Sequence, residues 1–132
     1  MFRQTPPRPI QKWGIDIRIT NSAISRAVFT LDIKDREPVS VLESYELTLP
    51  EAGIFKVLLF TEMKGLRGKK LYHDWYLNGV RQARVSIPVN VTHQRSHSSK
   101  YINTQMLGDW TVKVVDTHSN EYVNAGFRVV KP

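Results

Sequence analysis

The chain has 132 residues, of which 41% are hydrophobic and 23% are charged, and it contains no cysteine. This composition is typical of a globular domain with its own core, and it excludes a disordered chain, a disulfide scaffold and thiol chemistry. The longest apolar run, Val57 to Phe60, is far shorter than the roughly 20 residues of a membrane helix. The formal net charge of +7 favours acidic partners, although the basic residues are scattered rather than clustered as on a nucleic-acid surface.

The first eleven residues differ in composition from the rest of the chain. Residues 1–11 hold three of the seven prolines, and a Pro-Pro-Arg-Pro stretch prefers an extended polyproline conformation. We therefore predict a proline-rich arm or linker at 1–11 and a single β domain over 12–132.

The first half of the domain predicts strands separated by charged turns. From Trp13 to Ile19 apolar and polar residues alternate, as in a strand with one solvated face. Ala27 to Ile33 is rich in β-branched and aromatic residues and predicts a second strand. Residues 39–53 are compatible with an irregular strand or a short helical turn. Phe55 to Thr61 is apolar on both alternating faces, which indicates a central strand.

The strongest local signal is a hairpin. Asn78-Gly79 supplies the two positive φ angles of a tight type I′ turn, and Leu71 to Leu77 and Val80 to Ile87 are its predicted strands. Pro88 cannot donate a ladder hydrogen bond, so the chain after it is predicted to lie at an edge or a bulge. The polar stretch from Thr92 to Lys100 is predicted to be a functional loop.

Two further strands complete the pattern, Trp110 to Val115 and Tyr122 to Val130. We count seven or eight strands, turn signals at short intervals and no long helical periodicity. The predicted fold is an all-β, immunoglobulin-like antiparallel β-sandwich.

The two faces of the hairpin differ chemically and allow two interpretations. With a two-residue turn, Trp75 is predicted to lie opposite Gln82, and His73 opposite Arg84. If these four side chains are exposed, they form an aromatic and polar platform that could stack a sugar ring. In the alternative, Trp75 is the buried centre of the sandwich with His73 hydrogen-bonded beside it, and we favour burial because large aromatics supply so much of a core.

No residue pattern predicts an enzyme, a metal site or a cofactor. His93 and His97 lie in a polar stretch without a neighbouring acid, so a plain loop is favoured over a metal pair. The serines nearby, Ser96, Ser98 and Ser99, lack the glycine-flanked elbow of an activated nucleophile. Three carboxylates lie at or near predicted strand ends: Asp74, Asp109 and Asp116. Their spacing does not force any two of them together as an acid–base pair.

Several short motifs, in their order and spacing, resemble an uncharacterised bacterial family of β-rich domains of unknown function. They are Ile24-Ser25-Arg26-Ala27-Val28-Phe29-Thr30, Asp35-Arg36-Glu37-Pro38-Val39, Phe60-Thr61-Glu62-Met63-Lys64-Gly65-Leu66, His73-Asp74-Trp75, Ser98-Ser99-Lys100 and Gly108-Asp109-Trp110-Thr111-Val112. The resemblance implies a β-rich bacterial domain, commonly at the C-terminal end of larger, often membrane-associated proteins. It transfers no activity and no catalytic residue.

These observations favour a non-catalytic binding or interaction module of a bacterial envelope protein. The resemblance alone implies a periplasmic or envelope location and leaves the cytoplasm open. The expected partner is an acidic glycan or a protein, bound by the polar stretch and the nearby hairpin through His73, Trp75, Gln82, Arg84, Arg95 and Lys100. Two alternatives remain: a purely structural protein-contact domain, and a nucleic-acid-binding β domain in which Tyr72, Tyr76 and Tyr101 stack bases, which the scattered charge disfavours.

Overall fold

A computed structural model describes residues 15–132, and this range holds ten β-strands and no helix, hence none that could cross a membrane. The predicted arm at 1–11 and the first residues of the predicted first strand, 13 and 14, lie outside the described residues. The strands are β1 (Asp16–Ile19), β2 (Ile24–Lys34), β3 (Glu37–Val41), β4 (Glu46–Thr48), β5 (Ile54–Lys64), β6 (Lys70–Leu77), β7 (Val80–Pro88), β8 (His93–Asn103), β9 (Gly108–Asp116) and β10 (Glu121–Val130).

The strands form two sheets around one core. The first has the order β1-β10-β9-β6-β7, with the short β4 parallel to the end of β10, and the second has the order β3-β2-β5-β8. All other pairs are antiparallel. The all-β sandwich is confirmed. The described residues hold more strands than the seven or eight predicted, because β3, β4 and β8 form in segments where the apolar pattern is weak.

The centre of the core is a group of aromatic rings from both sheets. Phe29 of β2 meets Phe127 of β10 edge to face at 4.8 Å between ring centroids, and Trp110 stacks on Phe127 at 6.3 Å. Trp75 meets Trp110 edge to face at 6.3 Å. All four side chains are fully buried. The favoured interpretation, in which Trp75 belongs to the core, is confirmed, and Trp110 is buried beside it.

The β6–β7 hairpin has the predicted turn but a different register. Asn78 and Gly79 have φ of 49° and 85°, and Leu77 lies opposite Val80. A β-bulge then shifts the ladder, so that Trp75 lies opposite Ala83, and Arg84 lies opposite Asp74. The predicted pairs of Trp75 with Gln82 and of His73 with Arg84 are therefore wrong. The extra residue lets Val85 and Ile87 share the inner face with Trp75, whereas Arg84 points outward beside Asp74.

The polar stretch predicted to be a loop is mostly a strand. β8 pairs with β5 along its whole length, from His93 opposite Lys64 to Asn103 opposite Ile54. Main-chain hydrogen bonds to β5 hold β8 in place, so the strand does not need an apolar face of its own. β5 lies between β2 and β8, as its apolar pattern predicts.

The β2–β3 hairpin folds back over the outer face of its own sheet. β2 pairs with β5 from Ile24 to Thr30 and with β3 from Thr30 to Lys34. In a straight hairpin, Glu37 opposite Lys34 would lie roughly 26 Å from Arg26, given about 3.3 Å per residue. Instead the two side chains are in contact at 2.9 Å. Residues 33–37, here called the hairpin tip, therefore cover part of β5 and β8.

Candidate binding surface on the four-stranded sheet

Five exposed side chains follow one another on the outward face of β8. Because side chains alternate along a strand, every second residue lies on the same face, with successive members roughly 7 Å apart. We call this set the β8 row: His93, Arg95, His97, Ser99 and Tyr101. As β8 is an edge strand, one side of the row faces solvent.

An ion-pair network joins the start of the β8 row to the other strands. Arg26 donates two hydrogen bonds to the carboxylate of Glu37, both at 2.9 Å, and its Nε donates to Glu62 at 3.0 Å. The other oxygen of Glu62 lies 2.5 Å from Nε2 of His93. Arg95 lies 3.3 Å from Glu37 and 3.5 Å from Glu62. The network fixes the position of Arg95 from two sides.

Both carboxylates of the network are held in their ionised form. The hydrogen bonds from Arg26 are the main cause that lowers the pKa of Glu37. Burial acts to raise the pKa of Glu62, but the contacts with His93, Arg26 and Arg95 outweigh it and lower that pKa below its usual value. Two carboxylates thus balance two guanidinium groups, those of Arg26 and Arg95.

Arg36 adds a positive charge that the network does not balance. It lies in the two-residue turn of the hairpin tip, where Asp35 and Arg36 have φ of 50° and 63°. Its side chain is exposed and has no ion pair or hydrogen bond within residues 15–132. It borders two hollows under the tip, one of about 200 Å³ shared with Ile33, Phe60, Arg95, Ser96 and His97, and one of about 140 Å³ shared with His93 and Arg95.

The floor of the larger hollow includes a buried aromatic ring. Phe60 lies on the central strand β5 and is only 1% exposed, although it points away from the main core. The guanidinium of Arg26 lies 4.8 Å from the centre of its ring. A buried ring on a central strand keeps Arg26 and the neighbouring side chains in one arrangement.

The second half of the chain matches a known protein family. Residues 68–129 match the family described as "Protein of unknown function (DUF2914)". No curated protein matches the chain. The DUF2914 match runs from the turn before β6 almost to the end of β10, so it includes the β8 row and excludes the hairpin tip, Arg26 and Glu62. It confirms the resemblance to an uncharacterised family.

All six residues that the sequence singled out fall within the DUF2914 match, but the structure does not bring them together. Only Arg95 lies on the β8 row. Lys100 is on the same strand, five residues away, so it points to the opposite face. Arg84 lies on the outer face of the other sheet, where it donates two hydrogen bonds to Asp74 at 2.7 and 2.8 Å. Gln82 is exposed beside the bulge of β7.

The remaining two predicted residues, His73 and Trp75, are fully buried in the core and do not form an exposed platform. Ser98 of β8 lies 2.6 Å from Nδ1 of His73 and accepts a hydrogen bond from Nε1 of Trp75 at 3.0 Å. Burial, together with the charge of His97, lowers the pKa of His73 to about 3. The imidazole is therefore neutral, and this serine–histidine pair is enclosed between the sheets.

The three carboxylates considered as acid–base candidates each have separate partners. Asp74 is bound by Arg84, and Asp109 lies 2.6 Å from Nε of Arg128. Asp116 accepts hydrogen bonds from four groups of the β9–β10 turn and β10, and these bonds, chiefly that of Asn120, lower its pKa to about 2. Each carboxylate therefore has a structural partner of its own.

Sequence reasoning missed the residues that surround Arg95: Arg26, Arg36, Glu37, Glu62 and Phe60. All of them appear within the short motifs that carry the family resemblance, but nothing local indicates that they meet. The residues that alternate with His93, Arg95, His97, Ser99 and Tyr101 are polar as well, so the segment shows no apolar alternation that would have indicated a strand.

Proposed function

We propose that this chain is a non-catalytic binding module that recognises an acidic glycan or an acidic protein through the β8 row and the hollows beside it. The observation that carries the proposal is the guanidinium of Arg36, which has no ion pair within residues 15–132 and borders both hollows together with Arg95. A guanidinium binds a carboxylate with two parallel hydrogen bonds, and this fit favours a carboxylate ligand over an uncharged one.

The charge balance supports an anionic ligand. Three guanidinium groups, those of Arg26, Arg36 and Arg95, lie around two carboxylates, those of Glu37 and Glu62. One additional carboxylate under the hairpin tip would neutralise the cluster. The two imidazoles that border the hollows, His93 and His97, can contribute further hydrogen bonds to the same group.

The rigidity of the surface supports specific recognition rather than simple charge attraction. Arg95 and the carboxylates lie on paired strands, and their side chains hold each other in place. Side chains that are already ordered lose less conformational entropy when a ligand binds.

We place the module in a protein of the bacterial envelope, on the family resemblance of its motifs. Fractionation of cells that produce the full-length protein tests this placement. We expect it in the periplasmic or membrane fraction, and recovery from the cytosolic fraction alone would contradict the placement.

The binding proposal is tested by calorimetry with two polyanions, polygalacturonate and poly-glutamate. We expect at least one of them to bind, and Arg36→Gln to weaken that binding about tenfold, the equivalent of one lost charge-assisted contact of about 1.4 kcal/mol. Arg18→Gln is the matched control, because Arg18 is an exposed arginine on β1 of the other sheet. Both variants lose one positive charge.

Two results would contradict the proposal. One is that neither polyanion binds the wild-type protein at moderate salt. The other is that Arg18→Gln and Arg36→Gln weaken binding equally, since this would show a response to net charge and not to a site.

A further inference from the structure

We infer that the ligand is an acidic oligosaccharide, with one sugar ring stacked on Tyr101 and a carboxylate held between Arg36 and Arg95. This inference rests on the proposed function and narrows it to one ligand class. Tyr101 is the last member of the β8 row, and it is 61% exposed. The apolar face of a pyranose ring packs on such an aromatic side chain, and the ring's hydroxyls remain free for hydrogen bonds.

The length of the row fits an extended chain of several sugars. Tyr101 is six residues from Arg95 along β8, which corresponds to roughly 20 Å between their main-chain positions. Both residues lie on the same outward face of an edge strand. A single sugar could occupy only one end of this surface, whereas an oligosaccharide laid along β8 could contact both.

The side chains between the two ends are suited to sugar hydroxyls. Ser99 and His97 are exposed and each can donate and accept hydrogen bonds. At the far end, Nζ of Lys56 lies 5.9 Å from the centre of the Tyr101 ring. Lys56 therefore offers a second cation, next to Tyr101, to a polymer that carries several carboxylates.

The same row is poorly suited to a protein partner. The buried centre of a protein interface is usually apolar and depleted of charge. The β8 row has no aliphatic side chain, and its one aromatic residue stands at the end, next to a lysine. This composition favours a hydrated glycan over a protein surface.

The test uses calorimetry on the full chain with galacturonate monomer, an oligogalacturonate of about six units, and poly-glutamate. We expect the oligomer to bind more tightly than the monomer. Tyr101→Ala should weaken oligomer binding about tenfold, whereas Tyr101→Phe, which keeps the ring, should stay within about twofold of wild type. Poly-glutamate binding should be insensitive to Tyr101→Ala. Because Tyr101 is exposed, unfolding curves of both variants should match that of the wild type.

The outcomes separate this inference from the proposed function. If Arg36→Gln weakens oligogalacturonate binding and Tyr101→Ala does not, the stacking site is wrong and the acidic-ligand site stands. If only poly-glutamate binds, the ligand class is wrong and the acidic-ligand site again stands. If no polyanion binds, both fail.

Discussion

The hydroxyl of Ser98 lies 2.6 Å from Nδ1 of His73, and this contact joins the two sheets through the core. The same oxygen accepts a hydrogen bond from Nε1 of Trp75, so its own proton is available for Nδ1 of the neutral imidazole. One small polar side chain thus provides the partner of Nε1 of Trp75 and of Nδ1 of His73, whereas Nε2 of His73 has no hydrogen-bond partner among the described residues.

Replacement of Ser98 should therefore cost more than the loss of one hydrogen bond. In Ser98→Ala, both Nδ1 of His73 and Nε1 of Trp75 lose their partner in the core. We expect the free energy of unfolding to fall by about 2 to 4 kcal/mol, because each unsatisfied buried group costs about 1 to 3 kcal/mol. Urea unfolding measures the change. Ser99→Ala is the control, since Ser99 is exposed on the same strand. Similar losses for the two variants would contradict the role of Ser98.

The stability of the protein should fall in mild acid because of His73. Its pKa is about 3 in the folded protein, first because burial disfavours the charged imidazole and second because His97 repels it, with Asp74 acting in the opposite direction. Between pH 6.5 and 3 the unfolded chain binds a proton that the folded protein does not. The free energy of unfolding is therefore independent of this group above pH 6.5 and falls below it, by up to about 1.4 kcal/mol per pH unit.

Urea unfolding between pH 8 and 5 measures this slope. His73→Gln removes the titrating group and should reduce the pH dependence of the free energy of unfolding. Imidazole NMR gives a direct check, since His73 should not titrate above pH 5. A transition of His73 near pH 6 would show that the ring is not enclosed as described.

The Asp74–Arg84 pair should stabilise the β6–β7 hairpin. The Asp74 side chain is only 3% exposed and is bound by two nitrogens of Arg84, whose side chain is 40% exposed. Arg84 also lies 4.4 Å from the centre of the Tyr72 ring. We expect Arg84→Ala to lower the free energy of unfolding more than Arg81→Ala does, because it leaves the buried carboxylate of Asp74 without its two-point partner.

Arg81 provides the control for this pair. It lies 3.8 Å from the same carboxylate and is more exposed, so Arg81→Ala should change stability by at most about 0.5 kcal/mol. Thermal or urea unfolding of the two variants side by side measures the difference. Equal losses in the free energy of unfolding for the two variants would contradict a stabilising role of the two-point contact between Arg84 and Asp74.

Two glycines with positive φ should differ in how much a replacement by alanine destabilises the protein. Gly108 and Gly65 both have positive φ, 132° and 76°. A Cβ at Gly108 would lie 2.5 Å from Oδ1 of Asn78, the oxygen that accepts a hydrogen bond from the amide of Asp109, whereas a Cβ at Gly65 meets nothing within 4 Å. We expect Gly65→Ala to cost about 1 kcal/mol and Gly108→Ala at least about 1 kcal/mol more. A Gly108→Ala variant no less stable than Gly65→Ala would contradict this account of the turn.

Most strands of the sandwich could be predicted because the residues that they bury are the same residues that form the apolar pattern of the sequence. Phe55 to Thr61 is apolar on both faces, and it forms a central strand with the core on one side and the hairpin tip on the other. The Asn78-Gly79 turn was predicted because only residues that tolerate positive φ fit it. The burial of Trp75 followed from its size.

The bulge in β7 and the strand β8 could not be predicted by the same reasoning. A bulge changes register without a fixed sequence signature, and it moved Arg84 from the predicted partner His73 to Asp74. β8 lacks an apolar face because Ser98 satisfies polar groups of the core and the outward residues are solvated.

The amino-acid pattern was enough to predict the fold class, the strands with clear alternation and Arg95 as a candidate residue. Which charged side chains meet depends on the three-dimensional arrangement of the strands. Glu62 lies between Arg26 and Arg95 because of the register of three strands that are far apart in sequence, and Arg36 borders the same hollows as Arg95 because the β2–β3 hairpin bends where β2 changes partner at Thr30. Local patterns fix the face on which a side chain lies, whereas long-range pairing and the bend of a hairpin fix its neighbours.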